Sequence, residues 1–135
     1  AVLPRLEAAE GRSTLTFVAS VAGLRGFPQL AGYAASKFAV VGFAQALSDE
    51  LAASPVQVKV LCPPPGDTPM VRALGTLPPV YRLSPLFTAE QVVAAYFRQL
   101  DRPELLALVD ARSKALHAIA RVAPGLVTAL VRRVS

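Results

Sequence analysis

Ser20-Val21-Ala22-Gly23-Leu24-Arg25-Gly26-Phe27-Pro28-Gln29-Leu30-Ala31-Gly32-Tyr33-Ala34-Ala35-Ser36-Lys37 is the stretch around which this chain is organised. An apolar run, residues 15–19, leads into it and reads as a buried strand with Ser20 at its end. Gly23, Gly26 and Pro28 interrupt any regular element. From Gly32 onward helix formers dominate, so Tyr33 and Lys37 belong to the start of a helix. Spaced by one turn, their side chains share a face. A phenol and an ammonium on one face, with a hydroxyl delivered from a strand end, form an acid–base site.

The chemistry requires these residue types. A free phenol has a pKa of about 10 and gives up its proton poorly at neutral pH. An ammonium beside it favours the phenolate, and a phenol so placed can exchange a proton with a carbonyl or alcohol oxygen. The Ser20 hydroxyl can hold the same oxygen by a hydrogen bond. Proton exchange at a carbonyl points to hydride transfer, which no side chain performs, so a nicotinamide cofactor is implied. Each residue alone is ordinary: a helix-start tyrosine, a surface lysine, a strand-end serine. Their joint spacing carries the reading.

Ser20, thirteen residues before Tyr33-Ala34-Ala35-Ser36-Lys37, closely resembles the active site of the short-chain dehydrogenase/reductases. Val21-Ala22-Gly23 and Gly26-Phe27-Pro28 match that family's loop, and Val60-Leu61-Cys62-Pro63 followed by Asp67-Thr68-Pro69-Met70 resembles its segment after the sixth strand. Where the family reads Pro-Gly, this chain reads Pro63-Pro64. The likeness covers roughly residues 1–110. It implies Ser20, Tyr33 and Lys37 as the catalytic group, with Tyr33, Lys37, Pro63 and Thr68 toward NAD or NADP. For Thr68 two roles stay open: a hydrogen bond to the cofactor carboxamide, or capping of a short helix through Ala73.

The 135 residues suffice for one domain with a real core, and 53% of them are apolar, which argues for a folded protein. No uninterrupted apolar run is long enough to span a membrane. A single cysteine, Cys62, excludes an internal disulfide, fits a reducing, cytoplasmic location, and is expected to be inert and buried at a strand end. One histidine and no zinc-type spacing argue against a metal site. The net charge of +5 is concentrated in residues 112–135, where Arg112, Lys114, Arg121, Arg132 and Arg133 meet no acid. No basic groove with interleaved aromatics marks a nucleic-acid surface.

In chain order, residues 2–10 read as the end of a helix stopped by Gly11, and residues 14–19 as the first strand. The helix of residues 32–52 is apolar around nearly its whole circumference, so it needs cover on two sides: its own sheet and, by the family's habit, a second subunit. Residues 56–61 read as a strand parallel to the first. Residues 63–66 form a rigid turn, and residues 71–87, with Leu74, Leu77, Val80, Tyr81, Leu83, Leu86 and Phe87, read as irregular and apolar. This segment is either a lid or a packed surface loop, with Tyr81 as a candidate pocket residue. Thr88-Ala89-Glu90-Gln91 is a capping box for a helix running to about Leu100, and residues 105–109 form a short strand. Beyond Ser113 the chain is helical, broken at Pro124-Gly125.

The expected fold is α/β: a partial doubly wound, parallel, Rossmann-like sheet of three strands with helices. Residues 1–111 are expected to be the C-terminal catalytic half of such a domain and residues 112–135 a basic helical tail. No glycine-rich turn for a pyrophosphate occurs, so the stretch is expected to be inactive by itself, with the NAD or NADP choice written elsewhere. An apolar carbonyl substrate is expected from the composition of residues 71–87. Two other readings stand beside this one: a non-catalytic binding or scaffold relative, and a membrane-surface module acting through the basic tail.

Overall fold

The structure, a computed structural model, describes residues 2–79, 81 and 84–134. Val80 and Leu83 of the expected apolar segment, and the terminal residues 1 and 135, lie outside the described residues. Three strands form one parallel sheet in the order β1-β2-β3: β1 (Ser13–Val18), β2 (Val56–Cys62) and β3 (Leu106–Leu108). The register sets Phe17 against Val60 and Leu61 against Ala107. The expected α/β architecture, a three-stranded parallel sheet with helices, is present.

Alternation along β2 sorts its two faces. Val58, Val60 and Cys62 point to α2 (Ala31–Glu50), where they meet Val41 and Ala44 in one buried cluster with Ala19 and Leu108. Phe17 of β1 joins this side and meets Phe43 edge to face at 5.5 Å. On the opposite face runs α4 (Ala89–Phe97), whose Tyr96 hydroxyl shares a short hydrogen bond with Thr16 of β1. Lys59 projects to this side and is only 1% exposed. Its ammonium donates to the carbonyls of Gln99 (3.1 Å), Glu104 (2.8 Å) and Arg102. Burial pulls the Lys59 pKa below its usual value, with Glu104 opposing; three carbonyl acceptors are a set that only the ammonium form serves in full.

Element ends differ from the sequence expectation by one to three residues, for local reasons. The opening helix α1 is short (Leu3–Glu7), and Gly11 takes a φ of 83° rather than merely ending a longer helix. Helix α4 stops at Phe97, short of Leu100, because Gln99 turns its side-chain amide onto the carbonyls of Ala95 and Leu108. Its start is the reciprocal capping box: Gln91 N–H donates to Thr88 Oγ1 (3.3 Å) and Thr88 N–H to Gln91 Oε1 (2.9 Å). The first residues of the expected irregular segment instead belong to α3 (Pro69–Arg72). The tail forms α5 (Ala111–Val122), capped by Asp110, and α6 (Pro124–Val134), with Pro124 in the first turn where its missing N–H costs nothing. These helices do not simply lie on the sheet: Val127 and Val131 of α6 are buried with Ala22 and Phe27 of the loop after β1, and Leu116 and Ala120 of α5 pack on the same cluster.

Candidate active site

The parallel ladder continues one step beyond β1 and thereby fixes Ser20. Ala19 N–H donates to the Leu61 carbonyl at 2.8 Å and Val21 N–H to the Pro63 carbonyl at 3.0 Å. Ser20 between them is buried, at the carboxyl end of the sheet, where open α/β sheets gather ligands. Its Oγ accepts from Ala22 N–H at 3.2 Å, capping a 3₁₀ turn at Val21–Gly23, and makes a long 3.5 Å contact to the Pro63 carbonyl. That long contact leaves the hydroxyl proton little held.

The loop then returns to α2. Phe27 is buried, and Leu30 N–H closes a turn onto the Phe27 carbonyl at 3.1 Å. Pro28 holds the second position of that turn and Gln29 the third, at a φ of 66°. The turn launches α2, so Tyr33 and Lys37 sit in its first two turns. The Lys37 ammonium lies 5.7 Å from the centre of the Tyr33 ring and reaches back to the Val18 carbonyl at the end of β1, at 3.4 Å.

Ser20, Tyr33 and Lys37 line one apolar cavity of about 800 Å³, together with Pro63 and Thr68. All five residues singled out from the sequence therefore border the same space. Thr68 also caps α3, its Oγ1 accepting from Val71 N–H at 3.3 Å, so the capping role is realised here. Tyr81 borders the cavity too; burial pushes its pKa up, and the neighbouring Tyr33 adds to the rise. The thiol of Cys62, below Ser20, is pushed up to about 12 by burial, partly offset by a hydrogen bond from the Ser20 backbone.

Three contributors escape a reading of the sequence. The apolar stripes of α5 and α6 are visible as stripes, yet nothing in them says that Leu116, Leu126 and Val127 wall the cavity of Tyr33. Arg25 of the loop ties to α6 through a 2.8 Å hydrogen bond from Nη2 to Thr128 Oγ1. Gly23 fits the loop pattern, but its packing against Lys37 is a matter of three dimensions only.

The family model of the short chain dehydrogenases matches residues 1–77. (-)-trans-Carveol dehydrogenase of Rhodococcus erythropolis is 38% identical over 74 residues, 55% of this chain and 27% of that protein. 3-Dehydrosphinganine reductase TSC10B of Arabidopsis thaliana is 42% identical over 71 residues, 51% of this chain and 22% of that protein. Among solved structures, a short chain dehydrogenase from Burkholderia cenocepacia in complex with NADP superposes with a TM-score of 0.79 at 22% identity, over 96% of this chain and 50% of that one. At that identity the likeness is one of fold. The chain thus spans about a quarter of the length of these two curated relatives and half that of the solved structure.

Proposed function

Because the chain belongs to the short-chain dehydrogenase family, we propose that it carries the proton-handling part of an oxidoreductase that interconverts a carbonyl and an alcohol with NAD or NADP. The observation that supports this most is the Lys37 ammonium 5.7 Å from the Tyr33 ring, with Ser20 bordering the same cavity. In this reading Tyr33 gives its hydroxyl proton to the carbonyl oxygen, and takes one in the reverse direction. Lys37 stabilises the charge left on the phenolate and holds the cofactor ribose. Ser20, whose hydroxyl proton is only loosely engaged, orients the substrate oxygen.

The nicotinamide supplies the hydride when bound. The residues present fit its reactive end: Tyr33, Lys37, Pro63 and Thr68 border a cavity large enough for a ring and a substrate together. The 135 residues hold no glycine-rich turn for the pyrophosphate. Alone, they are therefore proposed to be inactive, since holding both reactants in place is a large part of the catalysis. The test is consumption of NADH or NADPH with a panel of ketones by a chain that joins these residues to such a turn. No turnover with any of them would favour a non-catalytic binding or scaffold role.

The cavity wall is overwhelmingly apolar, which favours a lipid-like or polycyclic carbonyl over a small polar one. A second copy is proposed to pack on α2, where Phe38 remains exposed and Phe43 is still more than half exposed beside its edge contact with Phe17 of the sheet. No helix among the described residues is long and apolar enough to cross a membrane. A peripheral contact of the tail with anionic lipid is a second reading, favoured by exposed Val122, Leu126 and Leu130 beside Arg121, Arg132 and Arg133. Equal flotation with anionic vesicles, with and without residues 112–135, would end it. The cytoplasmic assignment rests on the unpaired Cys62.

A further inference from the structure

Helix α5 has two working faces. Leu116 and Ile119 border the catalytic cavity. Lys114, His117 and Arg121, spaced three and four apart, line a second cavity of about 510 Å³ on the other side. Its remaining charged wall comes from Lys59 of β2 and from Arg102 and Glu104 before β3.

The charges in this cavity are unequally satisfied. The Lys59 protons are committed to three carbonyls. The guanidinium groups of Arg102 and Arg121 and the ammonium of Lys114 have no hydrogen bond or ion pair among the described residues, where the one ion pair joins Arg72 to Asp67. Three free cations line the cavity with one carboxylate, that of Glu104, and Asp101 is a second carboxylate near enough to act on Lys59, whose own charge offsets it. A monocarboxylate would leave positive charge uncompensated; a ligand carrying two or more negative charges would not. Guanidinium forks match tetrahedral oxyanions in geometry. The volume admits a small polyanion with its hydration.

We propose that this second cavity binds a small phosphate-class polyanion, with Arg102, Lys114 and Arg121 as its cationic ligands. The site is separate from the catalytic cavity and does not depend on the oxidoreductase reading. His117 lies half-buried among these groups and reports on them: burial, then Arg121, hold its pKa below the ordinary histidine value. A bound polyanion reverses the second influence and favours the imidazolium.

His117 is the single histidine of the chain, so its ring protons give one resolvable NMR titration. The probe is inorganic pyrophosphate, compared with sodium chloride at equal ionic strength. The expected result is an upward, saturable shift of the His117 midpoint, half-complete at about 1 mM or below. The exposed pair Lys114→Gln and Arg121→Gln together should weaken that half-point by about 10-fold, a difference of roughly 1.4 kcal/mol. A wild-type shift no larger than that in chloride, or one that never saturates, overturns the proposal. So does undiminished pyrophosphate affinity in the double variant; if that variant failed to fold, the wild-type comparison would still decide.

Discussion

A Cβ on Gly23 would stand 2.7 Å from the carbonyl oxygen of Lys37 and 2.9 Å from its carbonyl carbon. The 3₁₀ turn that follows Ser20 is therefore packed backbone to backbone against the second turn of α2. This contact, rather than any hydrogen bond between them, sets how closely the Ser20 hydroxyl and the Lys37 ammonium approach. The obstructing atoms are backbone and cannot swing aside.

Gly23→Ala should accordingly push the turn and the helix apart. The expected loss is about 1–3 kcal/mol of stability, the scale of overpacking a tight contact. Gly26→Ala, three residues on, is the control: a Cβ there meets nothing within 4 Å and its φ is not positive. It should be neutral or slightly stabilising, because it narrows the unfolded ensemble. Urea denaturation of the two variants checks the contrast; equal behaviour would mean that the contact is soft.

The parallel sheet and its helices were legible because the signals are local: β-branched runs for β1 and β2, helix formers after Gly32, a capping box at Thr88. The convergence of Ser20, Tyr33 and Lys37 on one cavity was legible through spacing, since a strand end and a helix start joined by a tight loop must lie together. Lys59 was not legible. In the pattern Val-Lys-Val it looks like a residue of a solvated strand face, and only the return of the chain through Gln99, Arg102 and Glu104 buries it. The same holds for the tail. Its apolar stripes are periodic, but their partners, Ala22 and Phe27, lie about a hundred residues earlier.

Lys59→Met preserves the length and apolar stem of the side chain but removes all three donors. The carbonyls of Gln99, Arg102 and Glu104 then lose a charged partner whose own side chain is buried. The expected cost is about 2–3 kcal/mol, the scale for hydrogen bonds to a charged group. Fraying should concentrate at the end of α4 and the start of β3, as faster amide hydrogen exchange around residues 98–106. Uniform exchange with unchanged stability would mean that the lysine is dispensable.

Cys62 is fully buried, and its thiol pKa stands at about 12. At pH 8 only about 10⁻⁴ of it is thiolate, the form that reacts. Ellman's reagent should leave the native chain unmodified over minutes and label one thiol on unfolding. The rate should rise with pH as the thiolate fraction grows. Rapid labelling of the native chain at pH 8 would show instead that the carboxyl end of β2 opens readily.

The proposed roles of the three site residues separate by what each substitution removes. They are tested in a chain that turns over, one joining these residues to a dinucleotide-binding turn. Tyr33→Phe keeps the ring beside Lys37 but deletes the exchangeable proton, and should reduce the chemical step by at least about 10²-fold, the scale of a positioned acid–base group. Lys37→Met removes the charge 5.7 Å from that ring and the contact to the Val18 carbonyl, and should lower both kcat and cofactor affinity. Ser20→Ala removes the substrate-orienting hydroxyl together with the cap on Ala22 N–H, so it should slow the chemical step and also cost about 1 kcal/mol of stability. Ser20→Thr restores the cap, which tells the two effects apart: stability should return even where the added methyl group impedes the substrate. The measurement is single-turnover oxidation of NADH or NADPH with each variant. Near-full activity in Tyr33→Phe would remove the phenol from the proposed mechanism, however well its position beside Lys37 suits the role.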